Sequence, residues 1–189
     1  MTATTAKSIL ARPRLRAPIA WLGLIALLWP GLSPAFGQGL GPAPTVRLLR
    51  ATGRVIILGT GYGDQVEVSL SPSGQQVEVR VFSDRAAAGP NAEPWVFEAA
   101  EVRAVEFRGG PGNDLFVNNT PLPAYAAGDE GNDVLIGGPN VDVLYGDAGN
   151  DWLMGHGGDD SLSGGGGVDT LLGGSGSDWL IRGTETAVD

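Results

Sequence analysis

Residues 128–181 form six consecutive units of nine residues, which read GDEGNDVLI, GGPNVDVLY, GDAGNDWLM, GHGGDDSLS, GGGGVDTLL and GGSGSDWLI. An earlier unit, GGPGNDLFV, occupies residues 109–117. The ten residues between the two runs, 118–127, place one extra residue in the phase. A fixed short period of this kind is typical of a solenoid, in which every unit adds the same small piece of structure.

Four positions of the unit are nearly constant. Position one is always Gly, and position four is Gly in every unit except one, where Asn140 replaces it. Glycine accepts a positive φ in a tight turn, and Asn tolerates a left-handed backbone better than most residues, so we expect Asn140 to adopt it too. Position six is always Asp: Asp114, Asp133, Asp142, Asp151, Asp160, Asp169 and Asp178. Position eight is always large and apolar: Phe116, Leu135, Leu144, Leu153, Leu162, Leu171 and Leu180.

The spacing of the apolar residues argues against a disordered acidic linker, because such a tract need not place an apolar residue two positions after every aspartate. We therefore expect an ordered structure in which the position-eight side chains form a thin core.

These units resemble the RTX, or hemolysin-type, calcium-binding nonapeptide repeat, whose signature is G-G-x-G-x-D-x-U-x with U a large apolar residue. The resemblance implies an all-β fold, a right-handed parallel β-roll (solenoid) over residues 109–183 in which two units complete one coil. It also implies that calcium lies between turns of units 18 residues apart. The implied pairs are Asp133 with Asp151, Asp142 with Asp160, Asp151 with Asp169, and Asp160 with Asp178. About four ions follow, with a fifth candidate site between Asp114 and Asp133, across the phase break.

The ligands implied by the resemblance are the position-six aspartates and backbone carbonyls of the glycine turns. The candidate metal ligands are Asp114, Asp133, Asp142, Asp151, Asp160, Asp169, Asp178, Gly128, Gly131, Gly137, Gly146, Gly149, Gly155, Gly158, Gly164 and Gly167. Calcium takes six to eight oxygen ligands. Aspartates stacked at the usual strand spacing of about 4.8 Å repel each other unless a cation bridges them, so calcium binding and folding are expected to be one event.

The charge distribution agrees with a cation-dependent fold. The formal net charge is −9, and residues 128–181 hold ten acidic residues and no Lys or Arg. A compact structure with this charge repels itself unless cations are bound. Nucleic acid is not expected as a partner, since binding it requires a basic surface. Without cysteine, disulfides cannot brace the chain.

The N-terminus has the order of a secretory signal peptide, predicted over residues 1–37. Basic residues between Lys7 and Arg16 precede an apolar stretch over residues 17–32, and the small residues Ala35 and Gly37 follow. The apolar stretch is shorter than the roughly 20 residues of a membrane span. We expect export to the extracellular space or cell surface and no transmembrane segment in the mature chain. An uncleaved N-terminal anchor is the alternative.

The remaining segments are a linker over residues 38–44, a strand-rich region over 45–108 and a short tail over 184–189. Alternating apolar residues at 66–70 and 77–81 flank the turn sequence SPSG and predict a hairpin. Further strands are expected at 55–58, 95–97 and 102–107. Residues 59–66 (GTGYGDQV) resemble a decayed repeat, with Asp64 at position six and Val66 at position eight. The region is predicted to be an N-terminal cap, or a degenerate extension, of the roll.

The sequence favours a non-catalytic, exported calcium-binding protein. His156 is the only histidine, and neither HExxH nor G-x-S-x-G is present. One alternative is a calcium-dependent adhesin or matrix protein that binds a glycan or protein through aromatics such as Tyr145, Trp152 and Trp179. Another is a degenerate hydrolase fragment that uses His156. The sequence does not identify a protein or glycan partner.

Overall fold

The computed structural model describes residues 43–83 and 93–183. The predicted signal peptide (1–37), residues 38–42 of the predicted linker and the predicted tail (184–189) lie outside the described residues.

The described residues form strands almost throughout, joined by tight turns and one short 3-10 helix, Ala99–Glu101. The strands are β1 (Thr45–Leu49), β2 (Arg54–Leu58), β3 (Asp64–Leu70), β4 (Gln76–Ser83), β5 (Trp95–Glu98), β6 (Ala104–Pro111), β7 (Leu115–Asn119), β8 (Ala124–Glu130), β9 (Val134–Ile136), β10 (Val143–Ala148), β11 (Trp152–Gly157), β12 (Ser161–Gly166), β13 (Thr170–Ser175) and β14 (Trp179–Ile181). The all-β prediction is confirmed.

Two seven-stranded sheets face each other. Sheet 1 has the order β1-β2-β6-β8-β10-β12-β14, and sheet 2 has the order β13-β11-β9-β7-β3-β4-β5. From β6 onward, consecutive strands alternate between the sheets, and each pairs in parallel with the strand one coil away. Leu144 therefore lies beside Leu162, 18 residues later. Two units make one coil of a parallel β-solenoid, and the β-roll prediction is confirmed.

Antiparallel pairs flank the first coils. β1 pairs with β2, and β4 pairs with both β3 and β5. The predicted hairpin is the β3–β4 pair. The strand expected at residues 102–107 begins later, at Ala104, because the 3-10 helix precedes it, and it continues to Pro111.

The core consists of two stacked columns of side chains, one on each sheet. In sheet 1 the column runs through Ile57, Phe107, Ala126, Leu144 and Leu162. In sheet 2 it runs through Val66, Phe116, Leu135, Leu153 and Leu171. All ten are buried, and the Phe107 and Phe116 rings stack across the interior with centroids 5.1 Å apart. Leu180 is the exception to the expected position-eight core, with 45% exposure, because no coil packs beyond it among the described residues.

The phase break is a local insertion at Asn118. Its buried Oδ1 accepts hydrogen bonds from the N–H and hydroxyl of Thr120 (3.1 and 2.7 Å), and its Nδ2 donates to the carbonyl of Leu122 (2.8 Å). Ala126 pairs with Leu144, so Ala124 lies at the position opposite Asp142. Residues 119–127 therefore form a degenerate unit, with alanine in place of the position-six aspartate.

Candidate metal centre

The position-six aspartates stack in two columns, one at each edge where the chain crosses between the sheets. The first column is Asp64, Asp114, Asp133, Asp151 and Asp169. The second column is Asp142, Asp160 and Asp178, preceded by Ala124. The structure thus brings together all seven sequence-predicted aspartates. It adds Asp64 to the first column. Asp64 was not among the candidate ligands, although its place at position six of a decayed unit indicated that it is equivalent to them.

One oxygen of each carboxylate except that of Asp64 is used to join coils. The N–H of Asp133 donates to Oδ1 of Asp151 at 2.8 Å, and the N–H of Asp142 donates to Oδ1 of Asp160 at the same distance. The same bond recurs along both columns at 2.6–3.0 Å. Each of these aspartates therefore ties its own turn to the turn before it.

The second oxygen of most of these carboxylates is buried and has no hydrogen-bond partner. These atoms are Oδ2 of Asp114, Asp133, Asp151, Asp160 and Asp169. A buried, unpaired carboxylate oxygen carries a large desolvation cost. Such an atom is stabilised only by a proton or a cation, and five of them recur at equivalent places.

The pKa values reflect this desolvation. Burial raises the pKa of Asp114 to about 8 and that of Asp133 to about 7, and the charges of neighbouring aspartates add to both shifts. Burial also raises the pKa of Asp142 and of Asp151 to about 6, and it raises the pKa of Asp160. In each case a backbone N–H opposes the shift, because it stabilises the ionised form.

The position-one glycines lie directly against the carboxylates. A Cβ on Gly146 would lie 2.7 Å from Cγ of Asp151 and 2.6 Å from the carbonyl oxygen of Gly164 in the next coil. Carboxylate, glycine and the carbonyl of the following turn therefore meet at one point. The same close approach to the aspartate of the same unit occurs at the other predicted position-one ligands, Gly128, Gly137, Gly155 and Gly164.

The predicted position-four ligands all have left-handed backbone conformations. Gly131, Gly149, Gly158 and Gly167 have φ of 139°, 142°, 114° and 124°. The prediction for Asn140 is wrong, since this residue has no positive φ. Position two is also left-handed in six of the aspartate-bearing turns, and there the non-glycine residues Asp129, Asp147 and His156 adopt φ of 73°, 71° and 73°. This second left-handed position could not be predicted from the sequence, because position two accepts Gly, Asp and His alike.

The donor set suits a hard cation. Within residues 43–83 and 93–183, no three Asp, Glu, His or Cys side chains converge to hold a metal ion. Most of the aspartate-bearing turns instead combine an unpaired carboxylate oxygen with backbone carbonyls. Oxygen-only donors of this type match calcium, which accepts backbone carbonyls and carboxylates together, and they do not match metals that require thiolate or imidazole.

Comparison with protein families identifies the repeat. The family model for the RTX calcium-binding nonapeptide repeat (4 copies) matches residues 125–153 and 145–180. These residues are RTX calcium-binding repeats. No curated protein and no solved structure matches the chain. The RTX match begins at Tyr125, so the coils that contain Asp64 and Asp114 extend the same roll beyond the matched residues.

The outer surface of the RTX roll carries aromatic side chains. Trp179 is 69% exposed, whereas Trp152 is half-buried. Tyr125 and Tyr145 contact each other on sheet 1, with ring centroids 5.5 Å apart. His156 lies at position two of its turn and is exposed. In the part of the chain that the structure describes, no helix has the length and apolar character that crossing a membrane requires.

Proposed function

We propose that the protein is a non-catalytic, exported calcium-binding protein whose RTX roll folds around the ions. The observation that carries this proposal is the row of buried Oδ2 atoms without partners, at Asp114, Asp133, Asp151, Asp160 and Asp169. Their regular recurrence beside backbone carbonyls favours a bound cation over isolated protonation.

The proposed ligands are the position-six aspartates and carbonyls of the position-one and position-four glycines, the set named from the sequence. A bound calcium ion would supply positive charge between coils that otherwise place like charges on one another. The chain itself does three things. It holds each Oδ1 on an N–H of the preceding coil, keeps side chains away at position one, and packs one apolar residue behind each turn.

Export is proposed from the N-terminal sequence alone. The basic, apolar and small-residue segments of residues 1–37 have the order of a cleaved signal peptide. Extracellular calcium is abundant enough to fill sites of about 10⁻⁴–10⁻³ M affinity, which is typical of extracellular modules. A calcium-dependent fold would therefore assemble only after the chain leaves the cell.

An adhesive role is the second candidate. The exposed Trp179 and the Tyr125–Tyr145 pair on sheet 1 support it, because aromatic side chains are enriched at binding surfaces. Calcium-dependent retention of the protein on immobilised polysaccharides, lost in Trp179→Ala, would favour this role. Equal retention of the wild type and the variant would exclude Trp179 from it.

No catalytic role is proposed. The buried aspartates join coils and face glycines, so they are inaccessible to a substrate. His156, which the hydrolase alternative requires, is exposed on a turn. Hydrolytic activity that is lost in His156→Ala would overturn this assignment.

The proposed function is tested by a calcium titration of the purified protein, followed by far-UV circular dichroism, with magnesium as the control. We expect a cooperative gain of β-structure with calcium and little change with magnesium, which prefers a stricter octahedral site and gives up its waters reluctantly. An unchanged spectrum at all calcium concentrations would contradict the proposal.

A further inference from the structure

Two of the turns that carry an aspartate differ from the rest in backbone conformation. In the turns that end at Asp114, Asp133, Asp151, Asp160, Asp169 and Asp178, positions two and four both have a positive φ. In the turns at residues 59–64 and 137–142, neither position does.

The difference changes the hydrogen bonds of the aspartate. Gly138, at position two, donates its N–H to Oδ2 of Asp142 at 2.6 Å, while Ala124 donates its N–H to Oδ1. Both oxygens of Asp142 therefore have a donor from the backbone. Asp142 is accordingly missing from the set of aspartates with an unpaired buried oxygen.

The turn at residues 59–64 satisfies Oδ2 of its aspartate in the same way, whereas Oδ1 of Asp64, with no earlier turn stacked on it, is buried without a partner. Thr60, at position two, donates both its N–H (2.5 Å) and its hydroxyl (3.0 Å) to Oδ2 of Asp64. The oxygen that is buried and unpaired in most other turns thus accepts two hydrogen bonds from its own turn. The torsion φ sets the direction of an N–H relative to the residues that follow, so a positive φ at position two removes this donor in the six other turns.

We infer that these two turns close without an ion and that Asp64 and Asp142 are not calcium ligands. This inference rests on the proposed calcium-binding function. Calcium would then lie only between stacked turns that both leave Oδ2 unpaired. The first column offers three such pairs, Asp114–Asp133, Asp133–Asp151 and Asp151–Asp169, and the second offers one, Asp160–Asp178.

The expected calcium sites then differ from those implied by the sequence. The count stays at four, but the site between Asp142 and Asp160 is removed and the site between Asp114 and Asp133 is added. Each self-closed turn is the first aspartate-bearing turn of its column. Each column therefore begins with a turn in which Oδ2 of the aspartate already accepts hydrogen bonds from its own turn.

The test is the number of calcium ions bound by the full-length protein, measured by native mass spectrometry for the wild type, Asp142→Asn and Asp160→Asn. We expect four ions for the wild type, four for Asp142→Asn and three for Asp160→Asn. An Asp142→Asn protein that binds one ion fewer than the wild type would overturn the inference and leave calcium binding itself intact. A wild type that binds no calcium would overturn the proposed function, and the inference with it.

A stability measurement at several calcium concentrations separates the two variants independently, because the rise of the melting temperature with calcium concentration reports the ions taken up on folding. Asp142→Asn removes no ion, so we expect its melting temperature to rise with calcium as steeply as that of the wild type. Asp160→Asn removes one ion, so we expect a shallower rise. The reverse order would contradict the inference. If Asp142→Asn does not fold, Asp64→Asn at the other self-closed turn has the same expected ion count, and a lost ion there would overturn the inference.

Discussion

The N-terminal coils, residues 43–127, and the C-terminal coils, residues 128–183, share one solenoid but are held together differently. The N-terminal coils bury several large apolar side chains per coil, and antiparallel strands with the buried residues Val77, Val79 and Val81 cover their outer end. Surface ion pairs such as Arg54–Glu106 (3.0 Å) join neighbouring strands there. The C-terminal coils bury about one leucine per strand and have no Lys or Arg through residue 181.

The regular repeat buries carboxylates as well as apolar side chains. Among residues 128–183, Asp133, Asp142, Asp151 and Asp160 are as deeply buried as the position-eight leucines. Buried carboxylates oppose folding unless they are compensated, whereas buried valine and phenylalanine favour it. We therefore expect the N-terminal coils to form without calcium and the C-terminal coils to require it.

The largest effect is expected from the thin C-terminal core. Leu153→Ala removes a fully buried side chain in the middle of a column, and such a truncation costs about 3 kcal/mol. Chemical denaturation in saturating calcium measures this free energy of unfolding. Leu172→Ala is the control, because Leu172 is 45% exposed and its truncation is expected to cost less than about 1 kcal/mol. Equal losses would show that the column does not hold the coils together.

The next effect concerns the position-one glycines. Gly146→Ala forces a Cβ against Cγ of Asp151 and the carbonyl of Gly164, and we expect overpacking of roughly 2 kcal/mol. The midpoint of the calcium titration should rise accordingly. Gly166→Ala is the matched control, since a Cβ there meets only the Asp147 carbonyl oxygen at 3.9 Å. A rise of the same size in Gly166→Ala would refute the role of close approach at position one.

The third effect is a dependence on pH, measured as the calcium midpoint. The folded pKa of Asp114 is about 8 and that of Asp133 is about 7, both above the ordinary value of 3.8. Protons therefore bind the folded, calcium-free chain more tightly than the unfolded one, so its stability is greatest near pH 4 and falls as pH rises to 8. Asp114 lies in the coils that are expected to fold without calcium, so the ion must displace its proton, and we expect calcium affinity at this site to rise about tenfold between pH 6 and pH 7. An affinity that falls as pH rises over this range would contradict the burial of these carboxylates.

The smallest effect is expected on the surface beside the first column of aspartates, where position-five asparagines form a ladder of hydrogen bonds. Oδ1 of Asn132 accepts the N–H of Asn150 at 2.7 Å, and the N–H of Asn132 donates to Oδ1 of Asn113 at 2.8 Å. Asn132→Ala should lower the free energy of unfolding by about 1 kcal/mol. Val168→Ala, at a position-five residue that is 72% exposed, should change it by less than about 0.5 kcal/mol. The two variants having equal stability would show that the ladder contributes nothing.

The sequence predicted the parts of this fold that depend on the period. The spacing of nine assigned the position-six aspartates and the position-eight apolar residues, because a solenoid stacks equivalent positions on one another. The hairpin was predictable from alternation and a turn sequence. Asp64 was visible as a decayed unit, but its place in the first column depends on β3 pairing with β7.

The backbone conformation of the turn at residues 137–142 could not be predicted from its own residues. That turn packs on the irregular segment that follows the Asn118 insertion, and a Cβ on Gly138 would lie 2.6 Å from the carbonyl of Thr120. Its backbone is therefore set by a neighbour in space that breaks the repeat. Asn140 is not left-handed for the same reason, since its side chain donates to the carbonyl of Pro121. The signal peptide, its cleavage and the domain boundaries stay predictions.

The measurement that tests the central claim most directly is hydrogen exchange of the full-length protein, followed residue by residue with calcium and with EGTA. We predict that amides of the N-terminal coils, such as those of Val79 and Phe107, keep their protection in EGTA. Amides of Leu144, Leu153 and Leu162 should lose it together and regain it with calcium. Protection that is the same in calcium and EGTA throughout, or that is lost equally in both halves, would contradict the account.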